Sequence, residues 1–167
     1  MRKAGMAALA AAIAAPASAE VVDASDAGFT SRHVLIVTAP PAKVWDALVH
    51  PDRWWEAAHS YSGDSASLSL DPRPGGCWCE KIPGGGVEHM RVIHVDAERM
   101  LRMAGGLGPL QAMPVSGVMT VTLEARGAGT EIVATYSVAG PRLAPLAAPV
   151  DKVLGAQWLR LKAAAER

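Results

Sequence analysis

The chain has 167 residues, which is enough for one hydrophobic core but too short for two domains of ordinary size. Basic and acidic side chains are equal in number, 16 of each, and charged residues make up only 19% of the chain. Because a phosphate backbone is bound by clustered Lys and Arg side chains, and the sequence has no such cluster, the composition argues against nucleic-acid binding.

Residues 1–19 have the layout of a secretory signal peptide. Arg2 and Lys3 precede an apolar stretch that ends in small residues at Ala17-Ser18-Ala19. The stretch is shorter than the roughly 20 apolar residues that a membrane-spanning helix needs. We therefore predict cleavage near Ala19, export to the periplasm or beyond, and no stable membrane span afterwards. The predicted organisation is a signal peptide at 1–19, a flexible segment at 20–28 and one domain at 29–167.

The predicted domain begins with one strand and two short helices. A run of β-branched and apolar residues at 29–39 predicts the strand. Val44 and Leu48 have helical spacing after Pro41, which suits a first helical turn. A second short helix is predicted over 51–59.

The middle of the chain changes to a hydrophobic period of two, which predicts a run of antiparallel strands. With the first strand, the predicted sheet has seven strands, at 29–39, 65–70, 75–82, 87–95, 99–105, 117–126 and 130–140. A long amphipathic helix closes the chain, with Val150, Leu154 and Trp158 on one face. This segregation of strands and helices predicts the α+β class, with the last helix lying across a curved sheet.

These elements, together with the phrases APPAKVWDALVHPDRWW and PGGCWCE, resemble the START-like (SRPBCC) superfamily. Its members include polyketide-cyclase-like proteins and Aha-type chaperone activators, and the resemblance extends over residues 29–164. It implies a helix-grip fold, in which a seven-stranded antiparallel sheet wraps around the long C-terminal helix and two short helices follow the first strand. It also implies a mostly apolar cavity and a small apolar ligand such as a lipid or polyketide, with no cofactor.

The stretch PGGCWCEKIPGGGVEHM predicts a β-hairpin with a glycine-rich turn at 83–86. In this register Glu80 faces His89. Trp78 faces Arg91, and alternation puts all four side chains on one face of the sheet. The resemblance implies that Trp78 points into the cavity, so the other three would follow it. Such a patch would orient a ligand carbonyl or act as an acid–base pair; alternatively, Glu80 and His89 form an ordinary ion pair on a solvated face.

Cys77 and Cys79 are the only cysteines in the chain. Cys-x-Cys is a poor metal motif, because structural zinc sites use a wider spacing and need further ligands. A disulfide is sterically marginal, since residues two apart in an extended strand have Cα atoms about 6.5–7 Å apart. We therefore interpret the two residues as unpaired thiols packed as small apolar groups, and predict no metal site.

The candidate ligand-binding residues are the aromatic and polar side chains that follow the first helix, those of the hairpin, and large side chains of the later strands and closing helix. They are Trp54, Trp55, His59, Tyr61, Trp78, Glu80, His89, Arg91, Met103, Met119, Tyr136 and Trp158. His59, His89 and Glu80 are also candidates for acid–base catalysis, with Asp64 as a further partner for a histidine. Aromatic residues and methionines equally suit an ordinary core, so packing is the alternative interpretation.

The sequence therefore predicts an exported protein that holds a small apolar molecule between the sheet and the closing helix. The first alternative is a cyclase, dehydratase or hydrolase-like enzyme that uses a His–carboxylate pair in the same cavity. The second is a protein-interaction module of the chaperone-activator kind, which predicts a large exposed apolar patch. The expected partner is a small apolar ligand and not nucleic acid, and the sequence is compatible with a monomer or a homodimer.

Overall fold

The computed structural model describes residues 18–167, which form one antiparallel sheet and two α-helices. The strands are β1 (Ser18–Ser25), β2 (Gly28–Val37), β3 (Leu68–Leu70), β4 (Cys77–Ile82), β5 (Gly85–Asp96), β6 (Met100–Ala104), β7 (Ser116–Arg126) and β8 (Gly129–Ala139). The helices are α1 (Pro41–Leu48) and α2 (Ala144–Ala165). Single turns of 3₁₀ helix span Pro51–Arg53, Ala57–His59, Ser65–Ser67 and Gly108–Ala112.

The eight strands pair in the order β1-β2-β8-β7-β6-β5-β4-β3, and every pairing is antiparallel. Buried and exposed side chains alternate along β7 and β8, as expected when one face of a sheet covers a core. Helix α2 closes that face and packs against β1, β2 and α1. The arrangement is α+β and consistent with a helix grip.

The structure has one strand more than predicted. The flexible segment predicted at 20–28 is instead part of β1 and the turn after it, with Val21 opposite Ser31 and Ser25 opposite Gly28. The sequence of β1 has no clear alternation of apolar and polar residues. The strand is ordered instead by pairing with the edge of β2 and by contact with α2. The prediction of a flexible segment is therefore wrong. The predicted signal peptide lies almost entirely outside the described residues.

The second short helix predicted over 51–59 is also wrong in detail. Two 3₁₀ turns, Pro51–Arg53 and Ala57–His59, replace it, and the backbone leaves helical geometry at Trp54. This break allows Trp54 and the adjacent Trp55 both to enter the core, where each is more than nine-tenths buried. Within the described part of the chain, neither α-helix combines the length and the apolar character needed to cross a bilayer.

Candidate functional site

The β4–β5 hairpin has a tighter turn than the sequence suggested. Ile82 pairs with Gly85, so only Pro83 and Gly84 form the loop, and the prediction of a turn over 83–86 is wrong. Gly84 has φ +77°, which suits the third position of a type II turn that has proline before it. The whole register of the hairpin therefore differs from the predicted one.

A β-bulge in β5 gives His89 its position. Cys79 pairs with Glu88 and Trp78 pairs with Met90, so His89 is an extra residue with no partner in β4. At the bulge His89 and the adjacent Met90 are both buried, which regular alternation would forbid.

The bulge brings His89 to Glu80 although the two residues are not paired across the ladder. The Nε2 atom of His89 lies 2.9 Å from Oε2 of Glu80, and both side chains are almost completely buried. Arg91, which comes after the bulge, lies on the opposite face, where it is half exposed and pairs with Glu88. The prediction that Arg91 shares the inward face is wrong, because the extra residue reverses the alternation.

Glu80 is held as a carboxylate by three hydrogen bonds. The backbone N–H groups of Tyr61 and Ser62 donate to its two oxygens, and His89 donates from Nε2. Burial disfavours the charged carboxylate, but the hydrogen bonds from Ser62, Tyr61 and His89 outweigh it, so the pKa of Glu80 lies below its ordinary value. Because an ionised carboxylate can only accept, the proton between the two side chains belongs to His89 Nε2.

Cys77 and Cys79 are joined by a disulfide. Their Cα atoms are 5.3 Å apart, which is shorter than the spacing of a regular strand and within the range for a bridge. The disulfide lies opposite the bulge in β5, where strands bend and twist more strongly than elsewhere. The interpretation as unpaired thiols is therefore wrong, because it assumed a fully extended β4.

A cavity of about 430 Å³ lies beside the Glu80–His89 pair and is partly open to solvent. Helix α2 supplies one wall, and its contributing residues are Leu146, Pro149, Val150, Val153 and Leu154. The opposite walls are Trp55 and residues 58–61, His89, and the loop at 107–109. The lining is mainly apolar.

Four of the twelve candidate ligand-binding residues line this cavity: Trp55, His59, Tyr61 and His89. Glu80 lies directly behind His89 and does not line it. Four others, Trp54, Trp78, Met103 and Trp158, surround a void of about 10 Å³ that is no larger than a water molecule needs. Met119 and Tyr136 are buried in the core. The wall from α2 was not among the predicted site residues, although its apolar periodicity was visible in the sequence.

The other predicted catalytic partners lie apart. His59 is at the cavity rim with its Nε2 3.7 Å from Glu56, and its side chain is 40% exposed. Asp64 instead caps the following 3₁₀ turn by accepting a hydrogen bond from the backbone N–H of Ala66. No hydrogen bond or ion pair joins His59 and Asp64 in the described structure.

Tyr136 positions a wall of the cavity from behind. Its hydroxyl donates to the carbonyl of Gly105 at 3.0 Å and accepts from the N–H of Leu107 at 3.1 Å. These bonds hold the start of the loop whose residues 107–109 line the cavity. Burial raises the pKa of Tyr136 to about 12, so the hydroxyl stays protonated as a donor.

A buried Ser–His–Asp cluster between β2 and α2 was not found from the sequence. Asp151 Oδ1 lies 2.6 Å from Ser31 Oγ and 3.1 Å from His33 Nε2, and the last two atoms are 2.9 Å apart. Burial lowers the pKa of His33 against the opposing effect of Asp151. Serine and aspartate share one ring nitrogen, whereas a catalytic triad uses both nitrogens in relay. The cluster therefore fastens α2 to the sheet.

The interaction-module alternative predicted a large exposed apolar patch. The exposed large apolar residues in the described structure are Val22, Tyr61, Ile93, Val118 and Leu159. They come from five different segments, one from each, and form no stripe along any element. This distribution gives that alternative no support.

Solved structures with a similar fold come from several bacteria. An uncharacterized protein from Rhizobium leguminosarum is 23% identical with a TM-score of 0.62, over 92% of this chain and 99% of that one. The Aha1 dimer from Colwellia psychrerythraea is 20% identical with a TM-score of 0.58, over 82% and 96%. CalU16 from Micromonospora echinospora is 15% identical with a TM-score of 0.53, over 87% and 83%. No curated protein matches the chain in sequence.

An antiparallel sheet closed by a long C-terminal helix beside an apolar cavity defines a START-like domain of the SRPBCC type. The family described as "Polyketide cyclase / dehydrase and lipid transport" matches residues 29–166. The chain belongs to this family.

Proposed function

We propose that the protein binds a small apolar molecule in the cavity between α2, Trp55 and the loop at 107–109. The observation that carries the proposal is a mainly apolar space of about 430 Å³ beside one buried Glu–His pair. Cavities of about 300–1,000 Å³ with apolar walls and few polar groups are typical of small-molecule sites. The family description, which includes lipid transport, supports the same class of function.

We propose further that the protein acts outside the cytoplasm, as a carrier or sensor of its ligand in the cell envelope. The signal-peptide pattern at 1–19 motivates this proposal. The Cys77–Cys79 disulfide supports it, because disulfides persist mainly in oxidising compartments.

Calorimetric titration with the apolar probe N-phenyl-1-naphthylamine tests the binding function. Val153→Trp places an indole in the cavity wall and should weaken probe binding at least about tenfold, or about 1.4 kcal/mol. Leu159→Trp adds the same side chain at an exposed position of the same helix and should leave the affinity unchanged. Equal affinities in all three proteins, or no binding to the wild type, would refute the proposal.

Native mass spectrometry of the protein recovered from the cell envelope would look for the natural ligand. We expect an additional mass of a few hundred daltons that is lost on denaturation, and fragmentation would begin to identify the molecule.

Acid–base catalysis is a second candidate function, because the Glu80–His89 pair has the arrangement of an oriented general base. In the neutral ring the bond to Glu80 places the proton on Nε2, so Nδ1 of His89, a residue that lines the cavity, is the nitrogen that can accept a proton. Hydrolysis of 4-nitrophenyl butyrate is a suitable first assay. Turnover should be lost in His89→Gln and kept in the rim variant His59→Gln; a reversed pattern, or equal rates in all three proteins, would count against this function.

A further inference from the structure

We infer that the cavity selects apolar ligands that carry a hydroxyl or N–H group, such as phenols and apolar alcohols, over ligands whose polar atoms only accept hydrogen bonds. The inference rests on the proposed binding function and names the ligand class. It comes from an account of every polar hydrogen on the side chains that line the cavity.

Three side chains of the wall before β3 have already used their donors. The indole N–H of Trp55 donates to the carbonyl of His59 at 2.9 Å. The hydroxyl of Ser60 donates to the carbonyl of Ala57 at 2.8 Å. The hydroxyl of Tyr61 donates across the cavity mouth to the carbonyl of Gly108 at 3.1 Å. The two hydroxyl oxygens retain lone pairs, so they can still accept.

The ring N–H donor of His89 is also already used within the protein. Its Nε2 proton is committed to Glu80, which accepts from the backbone N–H groups of Tyr61 and Ser62 as well and has no proton of its own to give. Its Nδ1 has no hydrogen-bond partner among the described residues and is not one of their fully buried polar atoms. His89 lines the cavity and its Nε2 is bonded to Glu80, so Nδ1 is the ring nitrogen left for a ligand, and in the neutral ring it is an acceptor.

Apart from the ring of His59, the other side chains of the described lining have no donor to offer. The wall from α2 is made of aliphatic side chains and Pro149, whose nitrogen has no hydrogen. Neither lysine nor arginine is among the described residues that line the cavity, so an anionic group would find no opposite charge. His59 lies at the rim, where water can satisfy its ring. A ligand carbonyl or ether would therefore lose its hydrogen bonds to water without replacement, which is costly in an apolar site.

Three probes of similar shape separate the possibilities: 2-naphthol, which can donate; 2-methylnaphthalene, which has no polar group; and 2-naphthaldehyde, which only accepts. We expect calorimetric titration at neutral pH, with the disulfide intact, to show 2-naphthol binding at least about tenfold more tightly than the aldehyde. The methyl compound should bind more weakly than 2-naphthol although it is more apolar.

Two variants locate the effect. His89→Phe keeps a ring but removes the acceptor, so the preference for 2-naphthol should fall to about threefold or less. His94→Phe, the matched change at an exposed position of the same strand that does not line the cavity, should keep the full preference. If His89→Phe does not fold, as judged by circular dichroism, the ranking of probes in the wild type and in His94→Phe still decides.

The outcomes distinguish the inference from the function on which it rests. Failure of all three probes to bind would refute the binding function itself. Equal affinities for the three probes would be consistent with the binding function but would refute the selection for ligands that donate a hydrogen bond. Tightest binding of the aldehyde would overturn the inference by showing that the cavity supplies donors.

Discussion

Replacing the carboxylate of Glu80 by an amide tests the central electrostatic feature of the site. In Glu80→Gln the amide oxygen can still accept from two of the three donors, Tyr61 N–H, Ser62 N–H and His89 Nε2–H, but the amide NH₂ must face the third. Loss of the charge-assisted hydrogen bond costs about 2 kcal/mol, and a buried donor that faces another donor adds about 1 kcal/mol. We expect the free energy of unfolding to fall by about 3 kcal/mol at neutral pH.

The stabilisation that Glu80 contributes depends on pH, and the direction of the pKa shift fixes the sign of that dependence. The folded-state pKa of Glu80 lies below the ordinary value of 4.5, so its stabilisation is complete above that value and disappears as pH falls through the folded pKa. Urea unfolding of wild type and variant, from neutral pH down to about pH 2, should therefore show two curves that converge in acid. Glu88→Gln, on the exposed face of the hairpin, removes only a surface ion pair and should cost at most about 1 kcal/mol. A loss in Glu80→Gln no larger than this control, or one that does not change with pH, would refute the reasoning.

Three further predictions concern the frame around the site. Reduction of the Cys77–Cys79 disulfide opens a very short loop and should lower the free energy of unfolding by roughly 1–2 kcal/mol. Urea unfolding with and without dithiothreitol measures this loss, and an unchanged urea midpoint would contradict the prediction. Because the pKa of Tyr136 is raised to about 12, the unfolded chain loses this proton first as the pH rises, so the free energy of unfolding should decline between about pH 10 and pH 12. Tyr136→Phe should flatten that decline; parallel curves of unfolding free energy against pH for wild type and variant would argue against it. Gly105→Ala would place a Cβ 2.5 Å from the carbonyl oxygen of His89 and should lower the thermal midpoint by several degrees. Gly127→Ala, at a positive φ with no atom within 4 Å, introduces the same methyl group without a steric contact and should cost less; similar losses in both variants would refute the steric contact.

The sheet could be predicted wherever the chain alternates clearly. All seven predicted strands are present, because the alternation in β7 and β8, for example, follows directly from one buried and one exposed face. β1 could not be predicted, since most of its residues are small or polar, its two valines are adjacent instead of alternating, and its order depends on an edge supplied by β2. The break at Trp54 was equally hidden, because local spacing does not show that two adjacent indoles will be buried.

The site could be predicted only in part for a related reason. Glu80 and His89 were expected to meet across a regular hairpin, yet their contact in the structure depends on a tighter turn and an extra residue in β5. A one-residue insertion reverses every later side chain, which is why Arg91 faces outward. The same departure from an extended strand brings Cys77 within bonding distance of Cys79. The Pro83-Gly84 pair is a signal for the tighter turn, but the bulge and the bend of β4 have no signal in residue type or spacing.

The four buried tryptophans give the fold an optical signature of its own. The indoles of Trp54, Trp55, Trp78 and Trp158 form a chain of neighbours with ring centroids 4.9 to 6.5 Å apart, and they belong to the segment after α1, to β4 and to α2. Chromophores this close share their excited states, so the near-ultraviolet circular dichroism of the protein reports their mutual orientation. Trp55 also touches the cavity. The near-ultraviolet circular dichroism spectrum therefore reports, without any label, how α2 packs against the sheet and whether the cavity beside Trp55 is occupied.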